Sequence, residues 1–316
     1  MTTGAAVGTR EAPWAFAAPW GARGWVSELD GPVHWIEFGV ATSSPPVVFV
    51  HGLGGSHLNW TLIGSALAQD RRAVALDLHG FGLTPGTRGN ATVQANAALL
   101  DRFLREIVGE PAVLVGNSMG GMISILQAHA NPSTVAGAVL IDPALPQPRQ
   151  RPDLAVAKRF AAYAVPGFGE LYMKRTYART SSRELVQGVV DLCFADPSRA
   201  NAAVLDAGIA LAEQRRSMPG KEASMLAAAR SLMATAIRRG RYQAMMAAID
   251  VPVLLINGEV DRLVPIASAR ATAALNPLWD KVFLPGVGHT PQLEVPELVI
   301  DAVAGWLSRQ PTLTTG

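Results

Sequence analysis

The chain has 316 residues, long enough for one α/β catalytic body that carries an insertion. With 49% hydrophobic and 16% charged residues it lies outside the disordered class, and a formal charge of +2 on scattered basic pairs such as Arg71-Arg72 excludes a nucleic-acid-binding stripe. Cys193 is the only cysteine, which excludes an intrachain disulfide, and no apolar run reaches the ~18 residues of a transmembrane helix, so a cytoplasmic location is expected.

Residues 12 to 20 are apolar but are broken by Pro13 and Pro19 and preceded by Arg10 and Glu11. They read as a loose N-terminal arm over residues 1–23, carrying Trp14 and Trp20, rather than as a secretion signal. Two amphipathic stretches, 24–29 and 32–38, flank Asp30-Gly31, a dipeptide that favours a hairpin turn. Continuous apolar runs follow at 46–50, 73–76, 112–115, 135–141, 251–256 and 281–284, as expected of strands buried on both faces of a parallel sheet. Helical patterns at 92–108, 119–130, 266–275 and 296–307 separate most of them, which predicts a mostly parallel, doubly wound α/β sheet.

The alternation stops after Asp142-Pro143 and resumes at Val251. The residues between have almost no strand pattern, open on a Pro-rich stretch, and contain the strong helix pattern 221–239. We therefore expect a core of residues 24–142 and 250–310 interrupted by a helical lid at 143–249. Phe160, Tyr163, Phe168, Tyr172, Tyr177 and Phe194 would give that lid an apolar underside, suited to a small to medium hydrophobic acyl or ester substrate. Cys193, inside an apolar segment, reads as a packed residue rather than a catalytic thiol.

In Val113-Leu114-Val115-Gly116-Asn117-Ser118-Met119-Gly120-Gly121 a strand meets a Gly-x-Ser-x-Gly turn and then a helix. Such a turn strains the serine backbone and presents its hydroxyl at the carboxyl edge of the sheet. Ser118 is thus the candidate nucleophile. The loop His51-Gly52-Leu53-Gly54-Gly55-Ser56 follows another buried strand, and the main-chain N–H groups of Leu53 and Met119 would form a two-donor oxyanion hole. Gly52 and Asn117 are expected beside the substrate.

Among six histidines, His289 lies beyond the last strand and before the last helix, at the same sheet edge, and is the candidate base. His129 lies far along a helix, while His79 sits nearer the edge but in the wrong order for a triad. His51 reads as structural. Asp261, just after the strand ending at Ile256, is the candidate to orient His289, with Asp142 and Glu259 as competitors. Asp77 is expected to stabilise its own turn. The histidines lack ligand spacing, so neither a metal nor a cofactor is expected.

With these motifs, and with Asp77-Leu78-His79-Gly80-Phe81-Gly82, residues 24 to 308 resemble the α/β-hydrolase superfamily. The resemblance implies a serine hydrolase, since the dehalogenases and most epoxide hydrolases of that superfamily have an aspartate where Ser118 stands. The elbow is similar to that of meta-cleavage product hydrolases, which cut carbon–carbon bonds. Those enzymes have a Trp where Thr290 follows His289, and a lid Arg where Gly188-Val189 follow Glu184-Leu185-Val186-Gln187, with Arg179 or Arg183 as possible substitutes. Carboxylic-ester hydrolysis is accordingly the leading expectation, carbon–carbon hydrolysis the second, and a ligand receptor on the same fold a third.

Overall fold

The computed structural model describes residues 8–12, 20–146, 153–310 and 313. Trp14, most of the Pro-rich opening of the insertion and most of the Thr-rich end lie outside them.

Nine strands form one sheet: β1 (Arg10–Glu11), β2 (Arg23–Glu28), β3 (Pro32–Phe38), β4 (Val47–Val50), β5 (Ala73–Leu76), β6 (Ala112–Asn117), β7 (Val135–Ile141), β8 (Val253–Gly258) and β9 (Asp280–Leu284). Their order is β1-β2-β3-β5-β4-β6-β7-β8-β9, antiparallel as far as β5 and parallel from there to β9. The chain steps outward from β4 to β5 and then returns across β4 to β6. The reversal opens a crevice at the carboxyl ends of β4 and β6, where such sheets hold ligands.

The apolar runs are continuous because both faces are covered. Val48, Val50, Val74, Leu76, Leu114, Leu140 and Leu255 belong to one buried cluster, and Val47, Phe49, Ala73, Ala75, Val113, Val139 and Leu254 to the other. This is the period of two that alternating side chains impose. Twelve α-helices are described: α1 (Gly64–Leu67), α2 (Val93–Phe103), α3 (Met119–Ala130), α4 (Leu154–Ala164), α5 (Phe168–Arg179), α6 (Ser182–Cys193), α7 (Ala202–Arg215), α8 (Lys221–Ile237), α9 (Arg239–Ala247), α10 (Ile266–Leu275), α11 (Pro291–Glu294) and α12 (Pro296–Ser308). Leu99, Leu100 and Phe103 of α2 and Met122 and Ile123 of α3 pack on the first face, and Val299, Val303 and Trp306 of α12 on the second.

Several details differ from expectation. The arm contributes the short edge strand β1, paired with β2. The hairpin loop has three residues, Leu29 to Gly31, with Glu28 opposite Pro32, because Asp30 and Gly31 both take positive φ (58° and 123°). The helix expected over 92–108 runs as α2 and then widens into a π-helical turn at Leu104–Val108, closed by Gly109 at φ 81°. The pattern at 221–239 divides into α8 and α9. Six helices, α4 to α9, stand between β7 and β8. Asp153, Ser181 and Asn201 cap α4, α6 and α7 with their side chains, satisfying first-turn N–H groups.

Candidate active site

Ser118 joins β6 to α3 at φ 55° and ψ −117°, a region that non-glycine residues avoid. Its neighbours make the turn sterically possible. A Cβ on Gly120 would stand 1.9 Å from the Val50 oxygen, and one on Gly116 would stand 2.6 Å from the Gly120 oxygen. The Ser118 N–H donates to the Ile141 carbonyl (3.1 Å), and its own carbonyl accepts from Met122 (3.1 Å) and Ala144 (2.8 Å). The strained residue is therefore held from both sides.

Met119 is the first residue of α3, where no helical acceptor exists for its N–H. Neither that N–H nor that of Leu53 has an acceptor among the described residues. Gly52 lies against Ser118: a Cβ there would approach the Ser118 Cβ to 3.0 Å. Asn117 is buried, and its amide donates to the carbonyls of Ile141 and His289, both at 3.0 Å. Its contact is thus with the histidine loop as well as with the cavity it borders.

Nδ1 of His289 is 2.7 Å from Oδ2 of Asp261, and both residues are buried. With Nδ1 donating its proton to the carboxylate, Nε2 keeps the lone pair. The other Asp261 oxygen accepts from the main chain of Leu263 (2.7 Å) and Val264 (3.0 Å). Glu259 instead pairs with Arg270 at 2.8 Å. Asp142 stays in the neighbourhood, a carboxylate oxygen of it lying within 4.8 Å of an Asp261 carboxylate oxygen and a His289 ring nitrogen.

Ser118, His289, Gly52, Leu53 and Asn117 line a single cavity of about 1010 Å³, roofed by Phe160, Tyr163, Tyr172, Tyr177 and Phe194 from the inserted helices. Phe168 is instead 55% exposed. Arg179 and Arg183 are exposed and do not border the cavity, whereas Arg159 borders it, half-buried and without an ion pair among the described residues. Burial pushes the Cys193 thiol up to about 12, so it is protonated and unreactive at neutral pH. His129 is exposed, and His79 is buried away from the cavity lining.

Two features lacked any local signal in the sequence. Asp77 does more than close its turn: it accepts from Nδ1 of His34 (2.8 Å), from Nδ1 and the main chain of His57 (2.9 and 2.7 Å) and from Leu83 (2.8 Å), joining β3 to two loops beside the site. The charges and donors around this buried carboxylate hold it well below the usual range, against the cost of burial. Arg215 of α7 donates to the carbonyls of Gly80 and Gly82 and so clamps the inserted helices to one of these loops. Among the described residues, two clusters have metal-like composition, His34–His57–Asp77 and Asp142–Asp261–His289. In both, each histidine turns Nδ1 toward a carboxylate, the geometry of a neutral imidazole donating its Nδ1 proton to an acid.

His51 carries a testable electrostatic signature. Its Nδ1 lies 2.8 Å from the Gly52 carbonyl, and its Nε2 accepts the Leu78 N–H at 3.1 Å, so both contacts are satisfied only in the neutral ring. Burial lowers its pKa from 6.5 to about 4. The unfolded chain gains a proton below pH ~6.5 and the folded chain only near pH ~4, so stability is complete above this window and falls as the pH drops through it. Urea unfolding across that range should show the stability of the wild type falling by about 3 kcal/mol relative to His51→Gln. A difference between wild type and His51→Gln that stays flat between those pH values would contradict the neutral-ring assignment.

A family model described as "Alpha/beta hydrolase family" matches residues 47–302. The chain is 29% identical over 252 residues to the dihydrolipoyllysine-residue acetyltransferase component of an acetoin cleaving system from Cupriavidus necator, a match covering 78% of this chain and 59% of that protein's length. It is also 29% identical over 269 residues to a pimeloyl-[acyl-carrier protein] methyl ester esterase from Aromatoleum aromaticum, covering 83% of this chain and 99% of the esterase. Among solved structures, Cfl2 from Burkholderia cenocepacia superposes with a TM-score of 0.77 at 21% identity, covering 95% of this chain and 99% of that one.

Proposed function

The chain belongs to the alpha/beta hydrolase family, and from that premise we propose that it is a serine hydrolase cleaving hydrophobic carboxylic esters through an acyl-enzyme on Ser118. The observation that carries the reading is the shared cavity: a strained serine and a histidine paired with Asp261 at 2.7 Å border the same apolar space. In this reading Nε2 of His289 takes the Ser118 proton as Oγ attacks the carbonyl carbon. The N–H groups of Leu53 and Met119 receive the oxyanion, and Asp261 stabilises the imidazolium. His289 then returns the proton to the leaving alcohol, and a water repeats the cycle to release the acid. Residues 143–249 act as the lid that excludes bulk water and supplies the acyl pocket. The similarity to a methyl ester esterase supports the choice of ester.

A cavity of about 1010 Å³ is at the upper end of the range that encloses drug-sized ligands. Each methylene buried there contributes up to about 0.8 kcal/mol, so kcat/KM for p-nitrophenyl esters should rise about two- to fourfold per methylene from acetate to octanoate. Initial rates at low substrate measure this. A profile that is flat or falls with length would exclude the acyl-pocket reading.

Arg159 favours a second reading, carbon–carbon hydrolysis, because a cation bordering an apolar cavity without an ion pair among the described residues would meet a substrate carboxylate. Comparing an ester with a vinylogous diketone acid as substrates separates the two reactions.

A further inference from the structure

Asp142 follows β7 with its side chain fully buried and its backbone at φ 42°. Its Oδ1 accepts the Gly258 N–H at 2.9 Å, while Oδ2 has no partner among the described residues. A bare carboxylate oxygen in such a place is costly. The neighbouring carboxylate offers no relief while both are ionised, because Asp261 already accepts from Leu263, Val264 and His289 and has nothing to donate. Only a proton on Asp142 itself turns this like-charge pair into an attractive one.

We propose that Asp142 is the positioning residue of this site: Oδ2 carries a proton that it donates to the Asp261 carboxylate, fixing that carboxylate against Nδ1 of His289. The inference rests on reading Asp261 and His289 as the acid–base pair. Burial, and after it the charge of Asp261, push the Asp142 carboxyl well above the ordinary range, with the Gly258 N–H opposing and Glu294 adding to the rise. The other titratable groups around it agree. Glu294 of α11 is paired with Arg199 at 3.1 Å, and the Cys193 thiol at the end of α6 stays protonated. Asp142 would thus draw charge from Asp261 and take up one of its free lone pairs, leaving a single well-placed acceptor for the imidazole. Removing the donor would leave Asp261 more negative toward the imidazolium, which favours the protonated, inactive ring.

The test compares the full-length wild type with Asp142→Asn and Asp142→Gly. Asparagine keeps an acceptor for Gly258 and a donor toward Asp261, and both residues accept positive φ, so neither variant adds backbone strain. With p-nitrophenyl butyrate, Asp142→Asn should keep kcat within about threefold. Asp142→Gly should lose about 10- to 100-fold in kcat at an unchanged KM, with the acid limb of its pH–rate profile displaced to higher pH. Equal losses in the two variants would mean that an ionised carboxylate is required, and wild-type kcat in the glycine variant would mean that the group is idle; either overturns the proposal. Urea unfolding provides a readout that needs no turnover. An acid kept protonated in the fold binds a proton that the unfolded chain has released, so the wild type should lose stability relative to Asp142→Asn as pH rises above about 4. A difference that does not change with pH overturns the proposal. If no ester is turned over while that difference grows with pH, the carboxyl pair stands and the hydrolase reading falls.

Discussion

Ser118→Ala is expected to lower kcat for a p-nitrophenyl ester by about 10⁴- to 10⁶-fold, with KM changed little. In the proposed mechanism the size follows from the loss of covalent catalysis, since the remaining donors of Leu53 and Met119 would polarise a carbonyl but supply no attacking atom. Labelling by a fluorophosphonate should vanish in the same variant, and mass spectrometry of the labelled wild type should find the adduct on the peptide containing Ser118. Labelling that survives the substitution would remove Ser118 from the role of nucleophile. Stability provides an independent check. Because the residue is held at φ 55°, Ser118→Gly should relieve about 1–3 kcal/mol of backbone strain and raise the melting temperature while remaining inactive.

Asp261→Asn should cost about 10⁴-fold in kcat, also with little change in KM. The argument depends on the two main-chain donors behind the carboxylate. Leu263 and Val264 direct their N–H groups at Oδ1, so in the asparagine variant the amide oxygen must remain on that side and the amide nitrogen must turn toward His289. A donor facing Nδ1 forces the imidazole proton to Nε2, where it would block the proposed proton transfer from Ser118. Stopped-flow or steady-state assays above neutral pH measure the loss. If Asp261→Asn retained activity within tenfold, the orienting carboxylate would have to be sought elsewhere.

The central strands were legible because each is short and apolar on both faces, and some are also bounded by Gly or Pro, as in Pro46 to Gly52. The elbow was legible for a related reason: Gly116 and Gly120 leave room for a strand and a helix to touch, and that requirement is written in adjacent residues. The place of Asp142 was legible only in part: its position after a strand made it a competitor of Asp261 for His289, but did not reveal it as a close neighbour of the Asp261 carboxyl as well. That grouping joins the ends of β7, β8 and β9, and only the register of β7 with β8, Ile141 opposite Ile256, brings the first two carboxyls together. His57 gave no sign of its bond to Asp77 because 20 residues, with α1 and β5 among them, separate the two in sequence. Within the insertion, Lys221 to Arg239 has helix-forming residues throughout, so composition could not reveal the break at Arg238, where ψ of 52° interrupts the helix. The exposure of Phe168 was equally invisible, since an aromatic residue in an amphipathic helix can face either way.

The main-chain N–H of His289 donates to the Cys193 carbonyl at 2.5 Å, and the buried Glu294 carboxylate binds the N–H groups of Gly288, Ala195 and Asp196 together. Gly288 fits between these segments only because it lacks a side chain, for a Cβ there would lie 2.3 Å from the same carbonyl. The end of α6 and the histidine loop therefore share one scaffold. If the proposed function holds, selectivity and turnover are not separable modules: a chimera that exchanges the α4–α9 segment for that of another family member would inherit a new pocket and also a differently seated histidine.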